Sequence, residues 1–341
     1  MYLRLRKSRV CIFPLLTITA ISILLWNFSG YFICHRESSL CGCHKCLTDE
    51  GDPWFKWIRG EAPKPFLSRR YQLSEDDFNW WKNLQGARYQ NFTFYNQTID
   101  KVFQIITPIA DVTEPSPDHC KRCAVVGNSG NLKGSRYGAL IDFHDIVIRI
   151  NYGPTKGYET DVGTKTTHRV MYPESSTKLD NTTHLLFFPF KTHDFQWLYK
   201  CLNPGEGYFR HANKIVNKDL IMILHPAFMK YVHQVWLGKI GRYPSTGFLT
   251  VVLSLLMCDE VSVFGFGADS EGNWSHYFGL LRNKQLKTGA HPGNYEYELI
   301  EKLYKRKKIL FFKGCICCGT AEQGHGLPAY RFHESTIVFL Q

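Results

Sequence analysis

The chain has 341 residues, of which 44% are hydrophobic, and it carries a net charge of +11 at pH 7. This length and composition suffice for one large hydrophobic core or two smaller ones. The sequence contains no internal repeat and no low-complexity tract, so it does not indicate a repeat architecture.

The N-terminus has the pattern of a membrane anchor. Four basic residues within positions 4–9 precede an uncharged run at 10–34, which is long enough to cross a bilayer. A cleaved signal peptide would have a shorter apolar region and a small-residue cleavage site, and no clear A-x-A pattern is present. Because the basic cluster is N-terminal, we predict a cytosolic tail at 1–9, a signal-anchor transmembrane helix at 10–34 and a lumenal remainder.

Charge indicates the kind of partner that the lumenal part meets. The N-terminal flank contributes four positive charges and no acid, which leaves +7 of the +11 for the rest of the chain. A lumenal domain does not meet nucleic acid, so an anionic small substrate is the better interpretation of this charge. A basic surface that only aids solubility is the alternative.

The cysteine spacing has two interpretations. Cys41, Cys43 and Cys46 form a C-x-C-x-x-C pattern, and Cys120 and Cys123 form C-x-x-C. In the cytosol this spacing would suggest zinc, whereas in an oxidising lumen it favours disulfides. Spacing alone does not give the pairing.

Glycosylation sequons agree with a lumenal compartment. We predict glycans at Asn91, Asn96 and Asn181. A fourth sequon begins at Asn273, where the adjacent Trp274 is expected to be packed and to hinder modification during folding.

Residues 35–74 contain several prolines and have the pattern of a stem with few regular elements. The aromatic side chains at 54–57 are too many for a bare linker, so part of this stem is expected to pack on the domain. Residues 75–84 predict an amphipathic helix. In it, Trp80 and Trp81 are candidates for the core first and for sugar stacking second.

The stretch at 120–175 predicts a strand, a glycine turn, a helix start and a return strand, close to a βαβ unit. Such a turn lets backbone N–H groups approach a phosphate. The glycines at 127, 130 and 134 do not form G-x-G-x-x-G. Asn128, Ser129 and Asn131 place amide and hydroxyl groups at the turn, where they suit a ribose or a phosphate. A purely structural βα turn is the alternative.

Strands and helices continue to alternate downstream, which indicates the α/β class. Apolar runs at 185–190 and 220–224 predict strands, and 226–236 predicts a helix. Ser245 and Thr246 are suitable N-caps for an apolar helix at 248–257. A buried strand at 261–264 is then predicted, and it ends in Gly265-Phe-Gly267.

These two informative stretches, at 120–175 and 242–269, resemble the long and short sialyl motifs of the sialyltransferases, glycosyltransferase family 29. His276-Tyr277-Phe278 resembles the third motif, and His291 with Glu296 resembles the very short one. Segments such as CAVVGNSGNL, GRYPSTG and GFGADS are most similar to the α2,3-sialyltransferases that act on Galβ1,3GalNAc. The likeness extends from about residue 41 to residue 314.

The resemblance implies a GT-A-like variant of the α/β fold, with one catalytic domain at 75–314 whose central, mostly parallel sheet is flanked by helices. It implies a Golgi membrane enzyme that transfers sialic acid from CMP-N-acetylneuraminate to the 3-hydroxyl of a terminal galactose, on glycoproteins or glycolipids, with inversion. No metal or other cofactor is expected, and the sequence lacks a D-x-D triplet.

The resemblance also assigns residues to the donor, to the acceptor and to disulfides. CMP-binding positions from the resemblance and from the two glycine-containing stretches are Asn128, Ser129, Asn131, Asn151, Ser245, Thr246, Gly247 and Gly267. Acceptor positions are Gln85, Tyr208 and Tyr243. The implied disulfides are Cys41–Cys46, Cys43–Cys120 and Cys123–Cys258.

Two histidines match the catalytic positions. Sialyl transfer passes through an oxocarbenium-like state, so it needs a base for the incoming hydroxyl and positive charge for the departing phosphate. His291 occupies the family's base position, and His276 occupies the place that contacts the phosphate. Glu296 either orients His291 or has a capping or surface role.

Three features depart from the family pattern. Gly279 replaces an acidic residue, Pro292-Gly293 follows the predicted base, and the tail at 315–341 extends past the usual end. We assign this tail no function. A catalytically weak lumenal protein that binds glycan or CMP is therefore the alternative function, and a nucleotide-dependent oxidoreductase, which lacks its fingerprint here, ranks third.

Overall fold

The computed structural model describes residues 41–43, 46–47, 51–85, 91–107, 118–203, 217–269, 271–278 and 289–314. The predicted cytosolic tail, the predicted anchor at 10–34, Tyr208, Gly279 and the tail at 315–341 lie outside these ranges. Within the described ranges, every helix is too short or too polar to cross a bilayer.

A parallel sheet forms the centre of the fold. Its strands are β1 Arg122–Val126, β2 Ile146–Ile150, β3 His168–Met171, β4 His184–Phe187, β5 Ile221–Ile223, β6 Glu260–Phe264 and β7 Leu310–Phe312. The seven strands lie in the order β5-β4-β3-β2-β1-β6-β7, and all six neighbouring pairs are parallel. The predicted α/β fold with a central parallel sheet is confirmed.

The helices that surround this sheet are α1 Pro53–Gly60, α2 Glu75–Trp81, α3 Phe92–Ile105, α4 Gly138–Asp142, α5 Glu159–Val162, α6 Thr192–Leu202, α7 Pro226–Tyr231, α8 Thr246–Met257 and α9 Gly293–Lys305. Short 3-10 turns occur at Gly130–Leu132, Pro173–Ser175 and Lys218–Leu220, and α7 continues into a π-helical turn at Val232–Trp236. The helix predicted over 226–236 is therefore present in two parts.

The sheet is buried on both faces, which explains its nearly continuous apolar strands. Val125 of β1 belongs to the larger hydrophobic core, whereas Ala124 and Val126 belong to a second cluster on the opposite face. The strand order reverses direction between β1 and β6, because β2 to β5 extend from one side of β1 and β6 and β7 from the other. In parallel sheets, ligands bind at the carboxyl ends of the strands beside such a reversal.

Helix α2 places Trp81 in the core, as predicted. The hydroxyl of Ser74 caps the helix by accepting a hydrogen bond from the Asp77 N–H at 3.1 Å. Trp81 is fully buried, and its indole N–H donates to the Pro189 carbonyl at 2.9 Å. Trp80 is half-buried and lies against the ring of His233.

Part of the predicted stem packs on the domain, as its aromatic residues suggested. In α1, Phe55 and Ile58 are buried. The ring of Trp54 lies beneath the Lys302 ammonium of α9 at 4.0 Å, a cation–π arrangement. The packed unit therefore includes residues from α1 onward.

Three disulfides are present, Cys41–Cys46, Cys43–Cys120 and Cys123–Cys258. They are the pairs that the family resemblance implied. Distances among the described residues allow two possible metal groups, which combine these cysteines with Asp259 or Glu260. The sulfur atoms are bonded to one another, so they offer no thiolate ligand, and the zinc interpretation of the spacing is wrong.

The three sequons predicted to carry glycans differ in their surroundings. Asn91 is exposed at the N-cap of α3, where its side chain accepts from the Phe94 N–H at 2.8 Å. Asn181 is exposed in the turn before β4. Asn96 lies inside α3 and is half-buried, and Thr98 of its sequon is buried.

Candidate active site

A cavity of about 430 Å³ opens at the carboxyl ends of β1, β2 and β6. It is lined by residues that the sequence placed in four separate motifs. Among them are Asn128, Ser129, Asn151, Ser245, Thr246, Gly247, Gly267, His276, His291 and Glu296. Of the predicted site residues in the described ranges, Asn131, Gln85 and Tyr243 do not line it.

The turn after β1 is joined to the turn after β6. Ser129 donates its backbone N–H to the Gly265 carbonyl at 2.9 Å and its hydroxyl to the Gly267 carbonyl at 2.6 Å. A Cβ at Gly127 would overlap the Gly265 carbonyl oxygen, so only glycine permits this approach. The two turns therefore form one wall of the cavity.

Asn131 has a different place from the predicted one. Ser129 caps the 3-10 turn at Gly130–Leu132 by accepting from the Asn131 N–H at 3.1 Å, which directs Asn131 inward. The Asn131 side chain is buried, and its amide donates to the Phe266 carbonyl at 2.6 Å. Asn131 therefore supports the turn after β6. It does not line the cavity, and its contact with the donor stays a prediction.

Two asparagines line the cavity where β1 and β2 end. Asn128 donates its amide to the Ile150 carbonyl at 2.9 Å. Asn151 adopts a left-handed backbone with φ of 55°, and its side-chain oxygen is buried without a hydrogen bond to any described residue. Asparagine tolerates this conformation better than most residues. Both residues therefore line one side of the cavity.

Helix α8 points its N-terminus into the cavity. Ser245 is the N-cap, and its hydroxyl accepts from the Phe248 N–H at 3.1 Å. Thr246 is the first helical residue rather than the cap. The first N–H groups of a helix have no intrahelical partner and carry the positive end of the dipole, so this end suits a phosphate.

His276 is held opposite the turn after β1. It forms an antiparallel bridge with Ser129, and the Tyr277 N–H donates to the Asn128 carbonyl at 2.8 Å. The His276 side chain is exposed at the cavity. His276 and the N-terminus of α8 line the same cavity, so an imidazolium and the helix dipole could stabilise one anion there.

His291 has a defined tautomer when neutral. Its Nδ1 lies 3.0 Å from the Tyr243 carbonyl oxygen. A carbonyl only accepts, so Nδ1 carries the hydrogen and Nε2 has the lone pair that can take a proton. The Tyr243 ring packs edge-on against the imidazole, with centroids 4.7 Å apart. Tyr243 thus orients His291 through both its backbone and its ring.

Glu296 is buried between His291 and α8. Its carboxylate accepts from the Ser245 N–H at 2.7 Å. Burial raises the pKa of this carboxyl, while the Ser245 hydrogen bonds and His291 act in the opposite direction. Of the roles considered from the sequence, a surface role is excluded, and Glu296 connects the N-cap of α8 to the first turn of α9.

Pro292 stands at the N-cap of α9, directly after His291. The loop before it is held by the Arg242 N–H, which donates to the Ala290 carbonyl at 2.9 Å. Gly241 packs against the Pro292 ring with a positive φ of 72°. Gly241 leaves room for the Pro292 ring. His291 contacts Tyr243 even though a proline follows it.

Gln85, a predicted acceptor residue, lies outside the cavity. It is exposed, and its side-chain oxygen accepts from the Lys191 ammonium at 3.3 Å. Lys191 also pairs with Glu174 at 2.7 Å and with Asp194 at 2.9 Å.

Sequence reasoning did not assign the aromatic residues that line the cavity to the site, namely Tyr172, Phe248, Phe266, Trp274 and Tyr297. Trp274 was expected to be packed, and its ring does meet Tyr297 edge-on with centroids 5.2 Å apart. Tyr172 directly follows β3. Tyr172 could have been predicted as a site residue from its place at the carboxyl end of a parallel strand, where ligands bind.

Asn273, which directly precedes Trp274, is 2% exposed. Its side-chain amide donates to Asp269 at 3.0 Å and to Glu271 at 3.2 Å. The nitrogen that would carry a glycan is therefore buried between two carboxylates.

A parallel α/β sheet with two glycine turns, a helix N-terminus and two histidines around one cavity is typical of an enzyme that transfers a group from a phosphate-bearing donor. The sequence profile of glycosyltransferase family 29 (sialyltransferase) matches residues 66–308. The chain therefore belongs to glycosyltransferase family 29, and it is a sialyltransferase.

Relatives and solved structures agree with this family. CMP-N-acetylneuraminate-beta-galactosamide-alpha-2,3-sialyltransferase 1 of Gallus gallus is 43% identical over 287 residues, which cover 80% of this chain and 82% of that protein. The Homo sapiens protein of the same name is 42% identical, covering 80% and 83%. The crystal structure of a mammalian sialyltransferase in complex with Gal-beta-1-3GalNAc-ortho-nitrophenol is similar, with a TM-score of 0.71 and 41% identity, covering 81% of this chain and 100% of that one.

Proposed function

We propose that this protein transfers sialic acid from CMP-N-acetylneuraminate to the 3-hydroxyl of the terminal galactose in Galβ1,3GalNAc, on glycoproteins or glycolipids. The observation that carries the proposal is the convergence of His291, His276 and the N-terminus of α8 on one cavity. The names of the similar proteins and the acceptor bound in the similar crystal structure support this choice of donor, linkage and acceptor.

CMP occupies the half of the cavity formed by the two joined turns, Asn128, Asn151 and the start of α8. Amide groups and backbone N–H groups there suit the ribose and the phosphate. A CMP donor has a single phosphate, whose charge the helix dipole and a protonated His276 can stabilise. We propose that the reaction uses no metal ion.

In the reaction, the galactose O3 forms a bond to the anomeric carbon of sialic acid while the bond from that carbon to the phosphate oxygen breaks. The bonding pair leaves with CMP, and the hydroxyl proton passes to Nε2 of His291. Nδ1 keeps its hydrogen and continues to donate it in the hydrogen bond to the Tyr243 carbonyl, 3.0 Å away. Attack from the face opposite the leaving group inverts the anomeric centre.

We propose that the acceptor lies beside His291, where three aromatic rings pack on one another. Tyr243 packs on Phe190, and Phe190 packs on Tyr172, with ring centroids 5.6 and 5.7 Å apart. Aromatic faces of this kind suit the apolar faces of sugar rings. We propose that Gln85, Tyr208 and Tyr243 bind the acceptor disaccharide.

The assay for this function uses the full-length protein in detergent with CMP-N-acetylneuraminate and either Galβ1,3GalNAc or Galβ1,4GlcNAc. We expect faster turnover of the first acceptor, an α2,3 linkage in the product and no loss of rate in EDTA. CMP binding without turnover of either acceptor would instead indicate the binding protein considered as the alternative.

We also propose a Golgi membrane location, as a single-pass type II protein with a tail at 1–9, an anchor at 10–34, a stem at 35–74 and a lumenal catalytic domain. The disulfides support the lumenal side, because such bonds persist in oxidising compartments. Protease treatment of sealed microsomes should leave the catalytic domain intact. Digestion without detergent would contradict this orientation.

A further inference from the structure

Arg169 of β3 is a buried cation held by backbone carbonyls. It is 9% exposed, and burial lowers the pKa of its guanidinium. Its Nη1 donates to the Asn151 carbonyl at 2.7 Å, and Nη1 and Nη2 both lie 3.3 Å from the Gly153 carbonyl. Burying a charge is costly unless it is hydrogen-bonded, so these contacts fix the guanidinium and the loop to each other.

The carbonyls that Arg169 holds belong to the loop that ends β2 at the cavity. Asn151 has a φ of 55° there, a left-handed conformation that few residues other than glycine and asparagine adopt. The Asn151 N–H donates to the Val170 carbonyl at 2.8 Å, and the Asn151 carbonyl accepts a hydrogen bond from the Arg169 guanidinium. The left-handed backbone is therefore fixed at both its donor and its acceptor.

Gly153 connects the same loop to the other cavity asparagine. A Cβ on Gly153 would lie 2.6 Å from the side-chain oxygen of Asn128. A displacement of the Gly153 carbonyl would thus move the surface against which Asn128 rests. Asn128 and Asn151 both depend on the position of this loop.

We infer that Arg169 is a positioning residue of the donor site, which acts through the carbonyls of residues 151 and 153 on Asn151 and Asn128. This inference rests on the proposed function, because CMP is the ligand that these asparagines would hold. The planar guanidinium can hold two carbonyls at once, whereas a lysine ammonium is a single point of charge. Lysine should therefore not replace Arg169.

Arg149 offers a matched control on the adjacent strand. It is 3% exposed, and burial lowers the pKa of its guanidinium to about 10. Its guanidinium also binds backbone, but its partner is the Lys165 carbonyl, at 2.8 and 3.1 Å, in the loop before β3. Arg149 does not line the cavity.

The experiment measures the Kd of CMP by calorimetry for the full-length protein in detergent, with Arg169→Lys and Arg149→Lys compared with the wild type. We expect both variants to lower the unfolding temperature. Arg169→Lys should weaken CMP binding about tenfold, and raise the donor KM with little change in acceptor KM, whereas Arg149→Lys should change the Kd less than about twofold.

A double-variant cycle tests whether Arg169 acts through Asn151. Asn151→Gly removes the side chain but accepts the left-handed backbone. If Arg169 acts as inferred, Arg169→Lys should weaken CMP binding less in the Asn151→Gly background than in the wild type. Additive losses would contradict the inference.

Other outcomes separate this inference from the proposed function. A wild-type protein that does not bind CMP would overturn the proposed function itself. A wild type that binds CMP, with an Arg169→Lys variant of equal affinity, would overturn only the inference, as would equal losses in Arg149→Lys. If Arg169→Lys does not fold, Gly153→Ala is measured instead, because its methyl group would disturb the same loop, and wild-type affinity there would also overturn the inference.

Discussion

The hydroxyl of Tyr277 donates a hydrogen bond to the Asp161 carboxylate at 2.8 Å. The same carboxylate accepts from the N–H groups of Gly134 and Arg136, at 2.8 and 2.9 Å. Burial and this carboxylate raise the pKa of the Tyr277 hydroxyl. Because Tyr277 directly follows His276, the contact anchors the segment that holds His276 at the cavity.

Tyr277→Phe should separate this anchoring from simple packing. The variant keeps the ring and loses one hydrogen bond, so we expect a stability loss of about 1 kcal/mol. We expect kcat to fall about tenfold because His276 is less well positioned. Tyr158→Phe is the matched control, since the Tyr158 ring packs edge-on against Tyr277 with centroids 5.2 Å apart. Equal kcat values in both variants would contradict the anchoring role.

His291→Ala should lower kcat by about 100-fold or more, the usual effect of losing a general base. CMP affinity should stay close to that of the wild type, because the donor is held by the opposite side of the cavity. Steady-state kinetics and CMP binding are measured on the same preparation. His193→Ala, at an exposed position on α6 outside the cavity, is the control. Loss of CMP affinity with an unchanged kcat would show that His291 is not the base.

Removal of the Cys123–Cys258 bond should abolish activity by destabilising the donor site. This bond joins β1 to the end of α8 and closes a sequence separation of 135 residues. Loss of a native disulfide typically costs about 2–5 kcal/mol. We expect Cys123→Ser with Cys258→Ser to be inactive, as measured by turnover and thermal unfolding.

The Cys41–Cys46 bond provides the control for that variant. Its sequence separation is only five residues, so its loss should cost less. Cys41→Ser with Cys46→Ser should therefore keep most of the activity. Peptide mapping of the active wild type that finds Cys123 and Cys258 as free thiols would refute the prediction.

Asn273 should be mostly unmodified in the active enzyme, although it begins a sequon. Its side chain is 2% exposed, and its amide is held by Asp269 and Glu271. A bulky glycan there would displace the segment that leads to His276. Intact glycopeptide mass spectrometry should find glycans at Asn91 or Asn96, which lie upstream of the motifs. High occupancy at Asn273 with full turnover would contradict the packing and the role given to His276.

Stability should decrease below about pH 6.5 because buried histidines stay neutral in the folded state. Burial lowers the pKa of His168 to about 3, with a smaller contribution from His184, and it lowers the pKa of His225 to about 4. The unfolded chain has the higher histidine pKa, so it binds protons first as the pH falls. The stability is fully present above the unfolded pKa and is lost between that value and the folded pKa.

Each such histidine should reduce the free energy of unfolding by about 1.5 kcal/mol between pH 6.5 and pH 5. Urea unfolding at both pH values, with disulfides intact, measures this difference. His168→Gln should remove about that much of the pH dependence, whatever it does to stability at pH 7. The same slope in His168→Gln and wild type would contradict the assignment.

Much of the fold follows from local sequence. Short apolar runs ended by glycine or asparagine indicated β1, β2 and β6. Ser245 was identified as an N-cap of α8, although the helix begins at Thr246, two residues before the predicted start. The resemblance to the family motifs predicted that most of the cavity residues lie in one site. Motifs that are distant in sequence share a site in that family, and local sequence patterns carry no such information.

Contacts between distant segments were not predictable from local pattern. The Ser129 hydroxyl meets the Gly267 carbonyl across 138 positions, and Glu296 meets the Ser245 N–H across 51. The inward direction of Asn131 depends on the carbonyl of Phe266, which only the packed turns supply. Such contacts depend on how the helices and the sheet pack together. Hydrophobic periodicity predicts the individual elements but not their packing.

The Cys43–Cys120 bond determines where a pull from the membrane would reach the enzyme. Cys120 lies two residues before β1, at the end of the strand opposite the cavity. With the proposed anchor ending at residue 34, force would enter the centre of the sheet through this bond and bypass the intervening helices. Five-residue β1 spans about 16 Å. The cavity therefore opens at the end of β1 opposite the bond that joins the sheet to the Cys43 segment.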